Sequence, residues 1–441
     1  MRSFSHATIL TAKLVIIGVL GLALGIPALI IGGFVAERSS RRDQVIREVS
    51  ATWGQAQQVE GPVLSIPVQT WREDEHGQRT TRTVWVHQLP ERLEARGNLE
   101  PEVRYRAIYE VVLYRSRLSL HGSFPALDPA RWGVRPEEVQ WDRAVLTFGV
   151  TDPKGLREVP RVVLGGEVLT LEPGAGRGPF LDGLGAKVRL DPTPDDGEGV
   201  TIPFEVEVEL AGSESLQFLP LARETDVVLD APWPDPSFEG AFLPEERSVT
   251  ESGFRASWRV LSLHREVPQH WRSDDDLSDS HGEHLRSSSF GVRLLFPVDA
   301  YQRTMRTVKY SVLFSLLTLL GFFAVEVGGK TSIHPMQYGV IGFALCIFYT
   351  LLLSLSELIG FNFAYVVAAA VIVSLISAYI HAIVRSRRLT GLCAGVLAAV
   401  YGGLFIMLQL EELALLLGTI LLLVLCAVVM ALTHKLNRNG V

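Results

Sequence analysis

Four polar side chains stand where a long apolar run ends: Glu357, Gln409, Glu411 and Glu412. A carboxylate or amide at such a place must be hydrated, paired or put to use, because lipid gives it no hydrogen-bond partner. If they converge, these groups suit a transporter or a lipid-handling protein; if they stand separately at the water boundary, they need no function at all. His381 falls near the other end of its run. The densest set of potential metal ligands is Asp274-Asp275-Asp276, Asp279, His281, Glu283 and His284. That stretch is rich in Ser and Asp and has no apolar anchor, so it reads as a solvated loop. Gly328-Gly-Lys-Thr331 has Ala at position 324, where a phosphate-binding loop needs its first glycine, and no strand before it. It reads as a loop between membrane helices, and Gly174-Ala-Gly-Arg-Gly178 as a turn. The sequence contains no nucleophile elbow, zincin motif or paired-cysteine site. No catalytic, cofactor-binding or metal-binding residue is therefore assigned, no cofactor is expected, and an enzyme is the least favoured of the open classes.

The elements that must position these groups are mostly membrane helices. A helix crosses the hydrocarbon core with about 20 apolar residues. Six runs qualify: Leu14–Ala36, Val308–Val325, Met336–Ser356, Phe361–Val384, Leu392–Leu410 and Leu413–Leu432. The first is too long for a signal peptide and has no small-residue cleavage site before Glu37, so it reads as an uncleaved anchor. Gly21-x-x-x-Gly25 and Gly391-x-x-x-Gly395, the latter extended by Ala399 and Gly403, would let helices pack closely.

Basic residues in short loops favour the cytoplasmic side. Arg385, Arg387 and Arg388 join the fourth and fifth runs, Lys330 joins the second and third, and Lys435 and Arg438 follow the sixth. The alternate loops, around Glu357 and Glu411-Glu412, have no basic residue. Both termini are thus expected in the cytoplasm and the segment after the first helix outside. Arg38, Arg41, Arg42 and Arg47 run against this, directly after the first span. Long translocated domains override such charges.

Between Glu37 and Arg306 lie 32 of the 41 Lys and Arg and 44 of the 48 Asp and Glu, a net charge of −12. So acidic a segment is no match for nucleic acid. All three cysteines (Cys346, Cys393, Cys426) lie in apolar runs and all eight Trp lie from Trp53 to Trp271. The soluble part is therefore held by an apolar core without disulfides. Val45, Val49 and Trp53 carry the first helix beyond the membrane until Gly54 ends it. Period-two alternation then predicts strands, one of them running through Val103, Tyr105, Ala107, Tyr109, Val111 and Leu113. Others cover 83–87, 144–150, 159–164, 204–210 and 255–263, and Asp299 is placed to cap a helix passing through Tyr301 and Tyr310 into the second span. Phe204-Glu-Val-Glu-Val-Glu-Leu210 puts its apolar residues on one face and its acids on the other. Many short strands with little helical signal imply antiparallel, sandwich-like sheets.

Five stretches, in order along the chain, resemble the CreD family of bacterial inner-membrane proteins. They are Trp53-Gly54 through Gly61-Pro-Val-Leu-Ser-Ile-Pro67; Ala231 to Gly240 with Gly253 to Trp258; Phe296-Pro-Val-Asp-Ala-Tyr301 to Tyr310; Ile333-His-Pro-Met-Gln-Tyr338 to Leu353–Gly360; and Leu408 to Gly418. The sequence departs from the family pattern at Met305, Leu358 and Glu412-Leu413. The resemblance implies an inner-membrane protein tied to envelope integrity and to tolerance of antimicrobials, and supplies no reaction. The expectation is an α+β membrane protein: residues 1–36 the N-terminus and first transmembrane helix, 37–307 a periplasmic β-rich domain, 308–432 transmembrane helices two to six, and 433–441 a cytoplasmic tail. Expected partners are the lipid bilayer and periplasmic or cell-wall components, through a non-enzymatic role; the alternative is transport or lipid handling at the outer helix ends.

Overall fold

The computed structural model describes residues 6–73, 79–175, 183–190, 200–275, 278–294, 300–329, 333–410, 416, 418–423, 426–427 and 430. The chain divides into two compact units, Met1–Asp43 with Val298–Val441, and Gln44–Pro297. Eight helices are described: α1 His6–Ala23, α2 Gly25–Trp53, α3 Ser278–Ser287, α4 Ala300–Lys309, α5 Ser311–Gly329, α6 Pro335–Ile359, α7 Phe361–Val384 and α8 Arg387–Gln409. All the described strands lie between Gln57 and Leu294.

Two sheets form the strand-rich unit. One has nine strands around the long strand Gln57–Glu73, which pairs with Arg79–Gln88, Ala144–Val150 and, in parallel, Ser215–Phe218. The other has eight, in the order 246–250, 253–261, 224–231, 92–106, 109–124, 202–213, 161–164, 167–169. Every pairing except Gln57–Glu73 with Ser215–Phe218 and Glu224–Ala231 with Arg92–Arg106 is antiparallel among the described strands. Leu64, Ile66 and Leu146 of the first sheet and Leu120, Val206 and Leu229 of the second are fully buried in one shared core. That core makes the unit a sandwich, and side-chain alternation builds it. Phe204, Val206, Val208 and Leu210 face inward, while Glu207 and Glu209 face out to Arg161 and Arg117.

The strand expected to run from Val103 to Leu113 is a hairpin instead. Arg106 pairs with Tyr109 across a two-residue turn, and Ala107 takes φ +57°. Two-residue turns normally advertise themselves with Gly or Asn. Ala107-Ile108 carries neither, and alternation continues in phase through it. The stretch read as a solvated loop after Asp274 holds α3, whose Leu285 is fully buried beside Val63, Leu89, Leu219, Leu221, Val267 and Trp271. One apolar residue on a polar helix suffices to dock it. Among the described residues no group of three or more His, Cys, Asp or Glu could hold a metal; Asp276 and the Asp279 and His281 side chains lie outside them.

α2 ends where the sequence places its end. Gly54 has φ +150° and an added Cβ would lie 2.5 Å from the Ala211 carbonyl oxygen, so no other residue fits without strain. The Trp53 ring is flanked by the guanidinium groups of Arg104 and Arg157, 4.4 and 4.2 Å from its centroid.

Among the described residues, four helices are long and apolar enough to cross a membrane: Ala12–Trp53 taken as one, α6, α7 and α8. A fifth counts if α4 and α5 are one span bent by 50°. The expected straight passage through Tyr310 is thus a break. The sixth expected span, Leu413–Leu432, falls largely outside the described residues, as do Asp299, Lys330, Lys435 and Arg438. Close packing of the first span is met: a Cβ on Gly21 would come within 2.8 Å of Leu316, on Gly25 within 3.5 Å of Val312 and on Gly32 within 3.7 Å of Val308. Gly391, Gly395 and Gly403 behave otherwise, with no described atom within 4 Å of an added Cβ.

Candidate functional site

Two knots of polar side chains form in the helical unit, one at each end of α6. At its far end, Glu357 accepts a hydrogen bond from the Tyr301 hydroxyl of α4 (3.0 Å), and Arg38 of α2 lies 3.9 Å away. The Arg42 guanidinium sits 5.6 Å over the Tyr301 ring. Next to them, Gln409 of α8 donates to the Asn362 side-chain oxygen of α7 (3.0 Å), which Arg303 of α4 also approaches at 3.4 Å. Of the four sequence candidates, Glu357 and Gln409 therefore join neighbouring parts of one network, with α4 as the bridge. Glu411 and Glu412 lie outside the described residues. Gly360, with φ +75°, makes the turn between α6 and α7 that sets Glu357 beside Phe361 and Asn362. His381 stands apart, 3.3 Å from the Thr390 hydroxyl.

The knot at the near end of α6 was not marked by sequence reasoning. Glu326, on the last turn of α5, is 3 % exposed and forms an ion pair with Lys13 of α1. Its Oε1 also accepts from the Ile333 backbone N–H (3.1 Å) and its Oε2 from the Tyr338 hydroxyl (2.7 Å), while Lys13 donates to the Ile333 carbonyl (2.9 Å). Each carboxylate oxygen thus has a donor, the condition under which a buried ion pair is tolerated. His334 caps α6, its Nδ1 accepting from the Met336 N–H and its own N–H donating to Gln337. A sequence signal existed: Glu326 and Lys13 are lone charges immediately bordering two apolar runs, and such charges call for a partner. From Tyr338 to Glu357 the helix rises about 28 Å at 1.5 Å per residue, close to the thickness of the hydrocarbon core.

In the strand-rich unit His87 and Arg265 are buried and hydrogen-bonded to neighbours within the unit. Ser65 Oγ lies 2.9 Å from His87 Nδ1 within the sheet, and burial brings the His87 pKa down to about 4. Arg265 is buried against the carbonyls of Val267 and Leu221, both at 3.0 Å, and the Gln269 side chain at 2.6 Å. Burial lowers its pKa to about 10. A shallow cleft on the outer face of the eight-stranded sheet is lined by Arg92, Glu94, Arg96, Asp226 and Arg259. Its charges largely answer one another through Arg92–Glu94 and Arg259–Glu224.

Comparison with known proteins agrees with this architecture. The family model described as inner membrane protein CreD matches residues 9–439. The Escherichia coli (strain K12) protein named inner membrane protein CreD is 31% identical over 425 residues, covering 94% of this chain and 91% of that relative. The stretches that carry the resemblance supply Tyr301, Ile333, Tyr338, Glu357 and Gln409, so they meet in the two knots. On the near full-length match and the identity together, the chain belongs to the CreD family of inner-membrane proteins.

Proposed function

We propose that this protein is a non-enzymatic scaffold of the bacterial envelope, its apolar helices spanning the inner membrane and its β sandwich held in the periplasm for contact with envelope components. The observation that carries the reading is what the family stretches do with their polar atoms. Tyr301 donates to Glu357 at one end of α6 and Tyr338 to Glu326 at the other, and each contact ties helices together. That use suits a rigid anchor. The alternative, transport or lipid handling at the outer helix ends, asks Glu357 to face a water-filled path with Glu411 or Glu412. Its engagement by Tyr301 and Arg38 favours the anchor.

Two measurements test the proposal in cells lacking their own copy. A Ser248→Cys variant, on an exposed edge strand, should react with a membrane-impermeant maleimide in intact cells. Full-length protein should restore resistance to detergent and to cell-wall inhibitors, Glu357→Gln should restore most of it, and a chain lacking residues 55–293 should restore none. Equal rescue by the shortened chain would sink the reading.

A further inference from the structure

We propose that the open edge of strand Glu246–Thr250 is a docking site for an extended protein segment that alternates basic and apolar residues and adds to the sheet as one more strand. The eight-stranded sheet ends at this strand, which pairs with Gly253–Leu261 on one side and with no described strand on the other; all five of its residues are exposed. An unpaired edge offers a row of backbone donors and acceptors to another chain. The nine-stranded sheet ends on the same flank, at Pro236–Gly240, because residues 241–245 carry the chain directly from one terminal strand to the other.

The side chains along the edge set the chemistry of what fits. Arg247 and Val249 stand opposite the buried Ala256 and Phe254 and so share the inward face, whereas Glu246 and Ser248 stand opposite Ser257 and Arg255 on the outward one. Apolar surface remains along the inward side: Val249 is 47 % and Leu243 72 % exposed, and the Phe238 ring, with the Arg247 guanidinium 6.0 Å from its centroid, is half-buried. From Trp233 to Glu251 the sequence holds five acids, Asp235, Glu239, Glu245, Glu246 and Glu251, and one base, Arg247. Glu239 is paired with Arg293 at 3.0 Å, while Glu245, Glu246 and Glu251 are exposed. Successive residues of an added strand lie on the two faces in turn, so one set meets Val249 and the other meets Glu246. A second copy of the same edge would bring acids against acids, which leaves a basic segment of another protein as the occupant. This deepens the reading of the sandwich as the part that makes contacts, and rests on it.

The probe is a fluorescent peptide of about nine residues that alternates lysine and valine, long enough to cover the edge, added to the full-length protein in neutral detergent and followed by anisotropy. It should bind, less tightly with added salt. A glutamate–valine peptide should not bind, and the lysine–valine peptide methylated on its backbone nitrogens should bind about tenfold more weakly for want of strand hydrogen bonds. Glu246→Lys/Glu251→Lys should weaken binding about tenfold. Glu167→Lys/Glu172→Lys, at exposed positions on the opposite terminal strands of the two sheets, should leave it unchanged. Hydrogen exchange of the wild type needs no variant: the peptide should slow the amides of 246–250 and leave those of 167–169 as they were. Absence of binding, equal binding of the methylated peptide, equal loss in both charge variants, or protection elsewhere than at 246–250 overturns the proposal. These measurements use purified protein, so their failure leaves maleimide labelling and rescue in cells standing, and failure of labelling or rescue leaves the docking result standing.

Discussion

Replacing Lys13 by methionine removes the cation paired with Glu326 and keeps a side chain of nearly the same length. Glu326 is 3 % exposed, so the carboxylate cannot turn to water; it keeps the Ile333 N–H at 3.1 Å and the Tyr338 hydroxyl at 2.7 Å, both neutral donors. Taking one member from a buried ion pair costs about 3–5 kcal/mol, because the survivor remains charged and buried. Lys13 keeps 12 % exposure, which puts Lys13→Met at the lower end, about 3 kcal/mol. Glu326→Gln should cost less, about 2 kcal/mol, since the ammonium keeps the Ile333 carbonyl and some water. The double variant Lys13→Met/Glu326→Gln keeps the Ile333 N–H on the amide oxygen, lets the Tyr338 hydroxyl turn to accept from the amide nitrogen, and should cost about 1–2 kcal/mol instead of the sum of about 5. Unfolding of the full-length protein in neutral detergent, followed by far-UV circular dichroism against denaturant, measures all three. Costs that simply add, or single variants within about 0.5 kcal/mol of wild type, would show that the pair is not buried together as described.

All eight Trp lie in the strand-rich unit, so their fluorescence reads its stability separately from that of the spans. His87 is neutral when folded and takes its proton only near pH 4, against 6.5 when unfolded. The unfolded chain binds the extra proton between those values, so stability is complete above pH 6.5 and falls by about 3 kcal/mol toward pH 4; His87→Asn should flatten that slope. Glu60 works the opposite way: burial, opposed by Arg286, raises its pKa above the usual 4.5. The folded unit then holds the proton longer, loses stability as pH rises from 4.5 through the raised value, and should be more stable at pH 7 as Glu60→Gln. A less stable Glu60→Gln at pH 7 would mean that Arg286 outweighs burial. Gly54→Ala should destabilise the unit by at least about 2 kcal/mol, from a strained φ and a Cβ driven against Ala211; an equally stable variant in chemical denaturation refutes the close approach.

Local pattern made much of this molecule readable. Alternation in Phe204–Leu210 located a strand and its inward face, and Gly54 located the end of a helix that helical spacing had already carried to Trp53. Both signals reside within a few residues. What escaped depends on contacts across the chain or on turns without a marker residue. The Ala107-Ile108 turn interrupts no alternation, and Leu285 is the one apolar residue in the sequence of α3. Lys13 and Glu326 are 313 positions apart, Tyr301 and Glu357 are 56 apart, and nothing in the spacing of either pair announces that they touch. The same physics explains why the candidates were found and their partners were not. A carboxylate beside lipid is conspicuous by type, whereas the hydroxyl that satisfies it is one tyrosine among ten. Fixing α6 at both ends then has a mechanical consequence. A span held only by van der Waals contact can slide along its neighbours at little cost, but one tied to α4 at Glu357 and to α1 and α5 at Glu326 must break a buried polar contact to move in either direction. The family stretches therefore fix the register of a membrane helix, which is why a chain without an evident reaction still carries polar residues beside its spans.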